Sequence, residues 1–417
     1  MGEGFMKDNT NNGKKENLKI MIAVFTAVSL LIGGIFIMTM HRHEYTAQLT
    51  EPTCTEQGHT TFTCACGESY VSNIVEKRGH FSGEWKIISN ATDTSNGLKI
   101  QKCSSCGEKT AEEILIASLD LDFISNGDGT CFVNGIGNCK DTTIVIPSTY
   151  NGMRVISIRP HAFQNYGDLT SIIIPDSVTN IDSYAFMDCN SLTSIAVHSD
   201  NPIYASVNGV WFNKELTNLI RYPNGKAGAY TIPSTVTSIG DEAFGDCDSL
   251  TSITIPDTVT HIGKSAFSRC NNLANITVDP NNPNYTSIDG VLFNKAITEL
   301  VCYPNGRAGA YTIPDTVTFI GNFSFIACEG LTGITIPDSV TIIGDYAFMD
   351  CIGLTSITIP LGMKSIGRSA FRSCRNLTGI SFNGTISEFY VISKGYNWNF
   401  QVPAKYAVCS DGSRYLP

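Results

Sequence analysis

Apolar and polar residues alternate in a pattern that repeats along the C-terminal two thirds of the chain. The segment Leu250-Thr-Ser-Ile-Thr-Ile-Pro-Asp-Thr-Val returns as Leu331-Thr-Gly-Ile-Thr-Ile-Pro-Asp-Ser-Val and begins again at Leu354. The prolines of these Ile-Pro pairs are Pro147, Pro175, Pro233, Pro256, Pro314, Pro337 and Pro360. The interval from Pro337 to Pro360 is the basic unit, and the two longest intervals, which end at Pro233 and Pro314, contain the same insertion. Such a fixed period predicts stacked structural units.

A single unit contains the elements of one solenoid turn. Its apolar positions are Leu169, Ile172, Ile174, Val178, Ile181, Ala185, Phe186 and Cys189. The first three alternate with period two, which predicts a short strand with one buried face, and Pro175 ends that strand because it has no amide donor. One unit cannot bury its apolar face alone, so the units must stack as parallel strands about 4.8 Å apart. The predicted fold class is mainly β, a β-solenoid over residues 125–380.

Both insertions are copies of one sequence. Asn201-Pro-Ile-Tyr in the first insertion matches Asn282-Pro-Asn-Tyr in the second, and each copy contains an Asn-Gly or Asp-Gly pair that favours a tight hairpin turn. We predict a β-hairpin hung on the solenoid, and an extra rung is the alternative. Exposed aromatic side chains of the insertions would anchor a partner, and the predicted ligand-binding residues are Tyr204, Trp211, Tyr222, Tyr285, Phe293 and Tyr303.

The N-terminal segment has the pattern of a membrane anchor. Residues 1–19 are polar and basic, and Ile20–Met40 has no charged residue. At about 1.5 Å per residue this segment would span a bilayer core of about 30 Å as a helix. The preceding lysines predict a cytoplasmic tail, a transmembrane signal-anchor helix over residues 20–40, and the remaining chain outside the cytoplasm. A cleaved signal peptide is the alternative.

Residues 44–115 form a smaller, cysteine-rich β region with its own weak repeat. Thr53-Cys54-Thr55 followed by Cys64-Ala-Cys66-Gly resembles Thr92-Asp93-Thr94 followed by Cys103-Ser-Ser-Cys106-Gly. Two close cysteine pairs suit tetrahedral zinc, so Cys64, Cys66, Cys103 and Cys106 are the predicted metal ligands. Outside the cytoplasm disulfides are an equal alternative. Further candidate ligands are Cys54, His59 and His80.

The remaining cysteines divide into two groups. Six follow the Phe of an Ala-Phe or Ser-Phe pair by three residues, and this regular position predicts free thiols buried in the solenoid: Cys189, Cys247, Cys270, Cys328, Cys351 and Cys374. Cys131 and Cys139 flank an Asn-Gly-Ile-Gly turn, where a cross-hairpin disulfide and two free thiols are equal alternatives.

Composition excludes some classes of function. Charged residues make up only 16% of the chain, and the formal net charge is −10. Without basic clusters the chain is a poor candidate for nucleic acid, because phosphate binding needs concentrated Lys and Arg. None of the seven histidines belongs to a recognisable nucleophile motif, and no glycine-rich phosphate loop follows a strand. We therefore expect no enzyme activity and no cofactor in the solenoid.

The repeats resemble the BspA-type, or Treponema-type, leucine-rich-repeat surface proteins. The resemblance is carried by Ile336-Pro-Asp-Ser-Val-Thr, by Gly290-Val-Leu-Phe-Asn-Lys and by the C-terminal Phe382-Asn-Gly-Thr with Trp398 and Val408-Cys-Ser-Asp-Gly. It covers about residues 125–417 and implies a solenoid followed by a cap over residues 381–417. It also implies adhesion to host matrix, host cells or other microbes through an extracellular protein or glycan ligand. A structural envelope spacer and a secreted enzyme are the alternatives.

The region at residues 44–115 has a resemblance of its own. Its paired cysteines followed by glycine are similar to the Cys-Gly knuckle repeats that stand beside such solenoids in Gram-positive gut bacteria. A structural zinc ion would be the cofactor of this region if its cysteines are reduced.

Overall fold

The structure, a computed structural model, describes residues 20–22 and 43–416. The described chain divides into two compact units. The first unit contains residues 20–22, 43–83 and 101–111, and the second contains residues 84–100 and 112–416.

The first unit contains a four-stranded antiparallel sheet in the order β1-β2-β3-β4. These strands are β1 Ile20–Ile22, β2 His43–Thr50, β3 Gly58–Cys64 and β4 Ser69–Val75. Its small core consists of Tyr45, Phe62 and Cys64, and the ring of Tyr70 stacks on Phe62 with centroids 5.0 Å apart. This core is small, so the sheet buries few side chains.

The predicted membrane segment is only partly described. Its first three residues form strand β1, where the sequence predicts a helix. The remaining residues of the predicted span, 23–40, and the predicted cytoplasmic tail, 1–19, lie outside the described residues. Among the residues that are described, no helix has the length and apolar character needed to cross a bilayer.

Residues 82–115 contain the second Cys-Gly repeat, and we call this segment the second knuckle repeat. This segment and the solenoid supply the other strands. Three form a sheet in the order β5-β6-β7, namely β5 Ser82–Ser89, β6 Gly97–Cys103 and β7 Lys109–Leu115. The solenoid strands are β8 Asp122–Ser125, β9 Thr130–Gly135, β10 Thr143–Val145, β11 Thr149–Tyr150, β12 Met153–Ile158, β13 Ser171–Ile174, β14 Asn180–Ile181, β15 Ser194–Val197, β16 Tyr204–Val207, β17 Val210–Asn213, β18 Asn218–Arg221, β19 Gly228–Thr231, β20 Ser238–Ile239, β21 Leu250–Ile255, β22 His261–Ile262, β23 Asn275–Val278, β24 Tyr285–Ile288, β25 Val291–Asn294, β26 Glu299–Cys302, β27 Gly309–Thr312, β28 Phe319–Ile320, β29 Leu331–Thr335, β30 Ile342–Ile343, β31 Ser356–Ile359, β32 Ser365–Ile366, β33 Gly379–Phe382, β34 Ser393–Lys394, β35 Tyr406–Cys409 and β36 Gly412–Tyr415.

These strands stack into two parallel ladders, as the alternating pattern predicts. The first ladder contains the Leu-x-x-Ile-x-Ile strands in the groups β10-β13-β15, β19-β21-β23, β27-β29 and β31-β33-β35. The second ladder contains the short Val-x-x-Ile strands, including β18-β20-β22 and β26-β28-β30-β32-β34. Within the part of the chain that the structure describes, helical structure is confined to a 3₁₀ turn, Ser183–Phe186, and to α1, Ile386–Val391 in the C-terminal cap. The predicted β-solenoid is therefore confirmed.

A stack of aromatic rings fills the solenoid between its ladders. Phe348 is fully buried, and its ring lies 4.8 Å from that of Phe325 and 5.2 Å from that of Phe371. Tyr346 and Asp350 on either side adopt left-handed backbone angles, with φ of 57° and 60°. These two bends turn the chain tightly enough to direct the Phe348 ring inward.

Six buried cysteines run beside this stack. Each thiol donates a hydrogen bond to the carbonyl oxygen of the aromatic residue one rung earlier, with Sγ–O distances from 2.9 to 3.6 Å. The six residues are Cys189, Cys247, Cys270, Cys328, Cys351 and Cys374. All six are free and buried, as their spacing predicts. Burial raises the pKa of the Cys189 thiol to about 12, so this residue stays protonated and can donate.

Each insertion supplies both a hairpin and an additional rung. Strands β16, β17 and β18 pair antiparallel in sequence, and β18 then pairs parallel with β20 of the second ladder. Strands β24, β25 and β26 repeat this arrangement, and β26 joins β28. The ring of Tyr222 packs tilted against Phe244 with centroids 5.3 Å apart, and Tyr303 stacks on Phe325 at 5.0 Å, so each tyrosine extends the column of aromatic rings. The two predicted alternatives are thus both present.

Part of the second knuckle repeat belongs to the solenoid core. Ile87, Ala91 and Leu115 bury the outer faces of Val145 and Ile173 on β10 and β13. This covering keeps the apolar N-terminal end of the first ladder from solvent, which parallel sheets require.

Candidate metal centre and binding face

Three cysteines and one histidine of the first unit converge on one point. The residues are Cys54, His80, Cys103 and Cys106, and their potential ligand atoms all lie within 4.8 Å of one another. Cys54 Sγ lies 3.7 Å from Cys103 Sγ, and Cys106 Sγ lies 3.3 Å from His80 Nδ1. Cys54 and Cys103 are buried, whereas His80 and Cys106 are exposed.

Two loops position these side chains. Gly79 N–H donates to the carbonyl of Cys54 at 3.1 Å, which holds the chain before His80 against the Cys54 loop. Cys103 is the last residue of β6, and Cys106 lies on the turn that follows. Gly107, with φ of 77°, donates its N–H to the carbonyl of Cys103 at 2.9 Å. The positive φ at Gly107 lets the turn close so that both thiols point to the same side.

The environment of this group favours a thiolate at one position. Several backbone amides, led by that of Cys106, lower the pKa of the Cys103 thiol to about 5. Burial, together with the neighbouring thiols of Cys103 and Cys106, raises the pKa of Cys54 to about 11. A thiolate among closely spaced soft donors is an arrangement that metal ions stabilise.

The structure brings together only two of the four predicted metal ligands. Cys103 and Cys106 belong to the group, but Cys64 and Cys66 lie on the β3–β4 hairpin and do not. Cys66 is exposed and within hydrogen-bonding reach of Cys64, which raises the pKa of the Cys66 thiol. The other two members, Cys54 and His80, are among the further candidates named from the sequence, whereas His59 is not part of the group.

Most of the predicted aromatic ligand contacts are inaccessible. Trp211, Tyr222, Phe293 and Tyr303 are at most 2% exposed, so the prediction that they contact a ligand is wrong. They are core residues because each insertion forms a rung instead of protruding as a free hairpin.

The other two insertion tyrosines are partly buried. The hydroxyl of Tyr204 accepts a hydrogen bond from Ile181 N–H at 3.1 Å, and Tyr285 occupies the equivalent position of the second insertion. Burial raises the pKa of both tyrosines, which are partly buried against the core. A packing role accounts for both, and they offer little surface to a ligand.

The alternative of a disulfide between Cys131 and Cys139 is not realised in the structure. Both cysteines are free and buried. The residues aligned with Cys131 across the sheet are Ser125 of β8 and Val155 of β12, whereas Cys139 lies beyond the end of β9. The two cysteines are therefore not the cross-strand partners that a hairpin bridge requires.

The outer face of the first ladder presents rows of small polar side chains. We call this surface the hydroxyl face and define it by Thr231, Thr254, Thr277, Thr312, Thr335, Thr358 and Ser381. Thr231, Thr254 and Thr277 are aligned on neighbouring strands, as are Thr312 and Thr335, and Thr358 and Ser381. The second outward row contains small residues such as Ser252 and Gly333. The face is therefore flat and carries no charge in either row.

Two exposed tyrosines end this face at the C-terminal cap. Tyr406 on β35 is 53% exposed, and its cross-strand partner Tyr415 on β36 is 55% exposed. Their rings meet edge to face with centroids 5.7 Å apart. Val408, on the same outward side of β35, is also 55% exposed. Sequence analysis missed this pair, although exposed aromatics beside an alternating strand indicate it.

A groove on another side of the solenoid has mixed charge. Its volume is about 530 Å³, and its charged lining residues are Asp246, Asp248, Arg269, Glu329, Asp350 and Arg375. Burial raises the pKa of Asp246, while the charge of Arg269, 4.0 Å away, opposes that shift. Four carboxylates and two guanidinium groups line the groove, so it has mixed charge with an acidic excess, and its ion pairs have the character of a solvated surface.

Several known proteins resemble this chain. A leucine-rich repeat protein from Eubacterium ventriosum is 24% identical over 70% of this chain and 77% of its own, with a TM-score of 0.46. A leucine-rich cell surface protein from Faecalibacterium prausnitzii is 26% identical over 66% and 96%, with a TM-score of 0.36. The pneumococcal vaccine antigen PcpA is 15% identical over 88% and 86%, with a TM-score of 0.41. Comparison with curated proteins finds no match.

The family model of the BspA type leucine rich repeat region matches six copies in this chain. The matched residues are 134–224, 222–306 and 298–393, which together make up more than half of the chain and coincide with the two ladders. The chain belongs to the BspA-type leucine-rich repeat family.

Proposed function

We propose that this protein is a bacterial cell-surface adhesin that binds an extended glycan along its hydroxyl face. The observation that carries the proposal is the uncharged row of aligned Thr and Ser side chains that ends at Tyr406 and Tyr415. Hydroxyl groups both donate and accept hydrogen bonds, so they can pair with the hydroxyls of a sugar. Exposed tyrosine rings supply an apolar platform with a polar tip for the flat side of a sugar ring.

The regular spacing of the face suits a repetitive ligand. Neighbouring rungs lie about 4.8 Å apart, so equivalent hydroxyls recur along the ladder. Each contact would be weak, but a polymer that engages many rungs gains affinity through multivalency. The uncharged face and the net charge of −10 favour a neutral glycan over an anionic one, because a polyanion would be repelled.

Binding can be tested with the full chain, purified in detergent, on immobilised neutral polysaccharides and host glycans. We expect saturable binding that weakens about tenfold or more when Thr335 and Thr358 are both replaced by lysine, because the new side chains block the flat face. The double substitution Tyr406→Ala with Tyr415→Ala should have a similar effect. His261→Lys, an exposed position on the second ladder, is the matched control. Absence of saturable binding to every glycan would contradict adhesion and favour a structural spacer.

Surface location is part of the same proposal. It rests on the uncharged segment that ends at Met40 and on the lysines that precede it. The chain should remain in the membrane fraction after alkaline extraction, and protease added to intact cells should degrade the solenoid. A cell-associated protein whose N-terminus begins beyond residue 40 would contradict the anchor and indicate a cleaved signal peptide.

A further inference from the structure

We propose that Cys54, His80, Cys103 and Cys106 bind one structural zinc ion. Three thiols and an imidazole are a ligand set that structural zinc sites use, and all four ligand atoms lie within 4.8 Å of one another. The site differs from the set predicted from cysteine spacing, because it takes one cysteine from the first knuckle repeat and two from the second.

The distances fit a tetrahedron around zinc. With Zn–S bonds of about 2.3 Å, two sulfur ligands of a tetrahedral site stand about 3.8 Å apart. The Cys54 and Cys103 sulfurs are 3.7 Å apart. A sulfur and an imidazole nitrogen on the same ion stand about 3.5 Å apart, and the Cys106–His80 distance is 3.3 Å. A disulfide between Cys54 and Cys103 would instead need the sulfurs at about 2.05 Å.

The surroundings of the ligands also suit a metal. His80 directs Nδ1 toward the thiols, and its Nε2 lies 3.2 Å from Oε2 of Glu108. Zinc-binding histidines commonly donate their second ring N–H to a carboxylate, which fixes the ring and the tautomer. Ser105 N–H points at Cys103 Sγ from 3.4 Å, as amides of a thiolate-binding turn do. Such amides stabilise the thiolate that zinc requires.

The repeat pattern explains why the site combines residues of two copies. The position of Cys54 in the first repeat is occupied by Asp93 in the second. Asp93 accepts hydrogen bonds from Thr149 Oγ1 at 2.9 Å and from Asn151 N–H at 2.6 Å. At this position, therefore, each repeat contacts the segment that follows it along the chain. Cys54 of the first repeat lies against the Cys103-Ser-Ser-Cys106 turn of the second, and Asp93 of the second repeat binds the Thr149–Asn151 loop of the solenoid.

The experiment measures metal in the full chain, purified in detergent with reductant. We expect about one zinc ion per chain, and cobalt(II) in its place should give the visible bands of a tetrahedral site with thiolate charge-transfer absorption. Cys54→Ser and Cys106→Ser should lose the bound metal. Cys66→Ser is the matched control and should keep it, because this cysteine is exposed and lies outside the group.

A further variant separates loss of a ligand from loss of folding. His80→Cys replaces the imidazole by a fourth thiolate, so it should retain metal and increase the charge-transfer absorption of the cobalt form. Retention of zinc by Cys54→Ser together with its loss from Cys64→Ser would overturn the proposed set. A second preparation without reductant tests the alternative: a metal-free chain with a disulfide among Cys54, Cys103 and Cys106, found by intact mass and peptide mapping, would overturn the zinc site itself.

Discussion

The thiol of Cys351 donates a hydrogen bond to the carbonyl oxygen of Phe325, one rung earlier in the solenoid, with Sγ and O 3.0 Å apart. Cys374 makes the same contact with Phe348 at 3.0 Å, and Cys270 with Phe244 at 2.9 Å. The cysteine thus links consecutive rungs on the side where the chain bends, in addition to filling a small apolar site. A side chain of this size that can donate a hydrogen bond explains why cysteine recurs at this position.

Replacing Cys351 by alanine should lower the free energy of unfolding by about 1–2 kcal/mol, because a buried hydrogen bond and the volume of a sulfur atom are lost. Chemical denaturation of the solenoid measures the effect. Cys66→Ala, at an exposed position, should leave stability unchanged. Equal stability of the Cys351 variant and the wild type would mean that the thiol contact contributes nothing.

Phe348→Ala should cost about 3–5 kcal/mol, because the ring is fully buried between Phe325 and Phe371. Rungs support one another, so we expect the turns near the substitution to unfold before the ends do. Hydrogen exchange resolved by peptide would show this order. Phe400→Ala in the cap is the comparison, since Phe400 is 46% exposed and its loss should change stability by less than about 1 kcal/mol.

One of the buried positions at which the two insertions differ allows a direct exchange. Arg221 Nη1 donates to the carbonyl of Glu242 at 2.9 Å, and Nη2 donates to Asn224 Oδ1 at 3.0 Å and to the carbonyl of Gly245 at 3.1 Å. The second insertion has Cys302 at the equivalent position, beside a cavity of about 150 Å³.

Arg221→Cys should therefore destabilise the first insertion by about 1–3 kcal/mol, since buried acceptors lose their donor. Thermal unfolding measures the change. Cys302→Ala should cost less free energy of unfolding, because Cys302 does not take part in a hydrogen-bond network like that of Arg221. A larger loss from Cys302→Ala than from Arg221→Cys would show that the guanidinium contacts are not what holds this turn.

The contact that Asp93, within residues 84–100, makes with Thr149 and Asn151 of the solenoid should weaken at acidic pH. The hydrogen bond from Thr149, and then the amide of Asn151, lower the pKa of Asp93. A carboxyl group whose pKa is lower in the folded state stabilises that state above its unfolded pKa, and this contribution disappears as the pH falls through the folded value. We expect hydrogen exchange in residues 84–100, corrected for intrinsic rates, to accelerate below about pH 4.

Asp93→Asn should remove this pH dependence and raise exchange in the same segment at neutral pH. Asp128→Asn is the matched control, because the pKa of Asp128 is also lowered but its partner is Thr130 in the β8–β9 turn. A wild-type protein with pH-independent exchange in residues 84–100 would contradict a role for the Asp93 carboxylate.

The repeat period was sufficient to predict the ladders, because each unit has the same apolar positions and can satisfy its backbone only by pairing with its neighbours. Whether the aromatic side chains of the insertions are buried or exposed was harder to predict. The continuous run Val210-Trp211-Phe212 is buried on both faces of β17, and such a run indicates a strand enclosed on both sides. The Asn-Gly turn points to a hairpin, but a turn motif does not show what the next strand will pair with.

The metal group shows a different limit of sequence analysis. Pairs of cysteines close in sequence are easy to recognise, so Cys64 and Cys66 are the obvious partners for Cys103 and Cys106. The structure instead brings in Cys54 and His80, which come from separate loops. They converge because the loop of the first repeat packs against the Cys-x-x-Cys turn of the second. The sequence indicates this only indirectly, since the second repeat has Asp93 at the position of Cys54.

The backbone register of the solenoid has a genetic consequence. Thr341 N–H donates to the carbonyl of Thr318 at 3.0 Å, and Lys364 N–H donates to the carbonyl of Thr341 at 2.8 Å, so each donor pairs with the equivalent position of the preceding unit. The backbone of a repeat added by in-frame duplication would find equivalent donors and acceptors in the repeats before and after it. The residues before the solenoid and the C-terminal cap would be unchanged. Each gain or loss would alter the length by about 4.8 Å. We therefore expect natural variants of this gene to differ in repeat number, so that recombination alone adjusts the length of the solenoid.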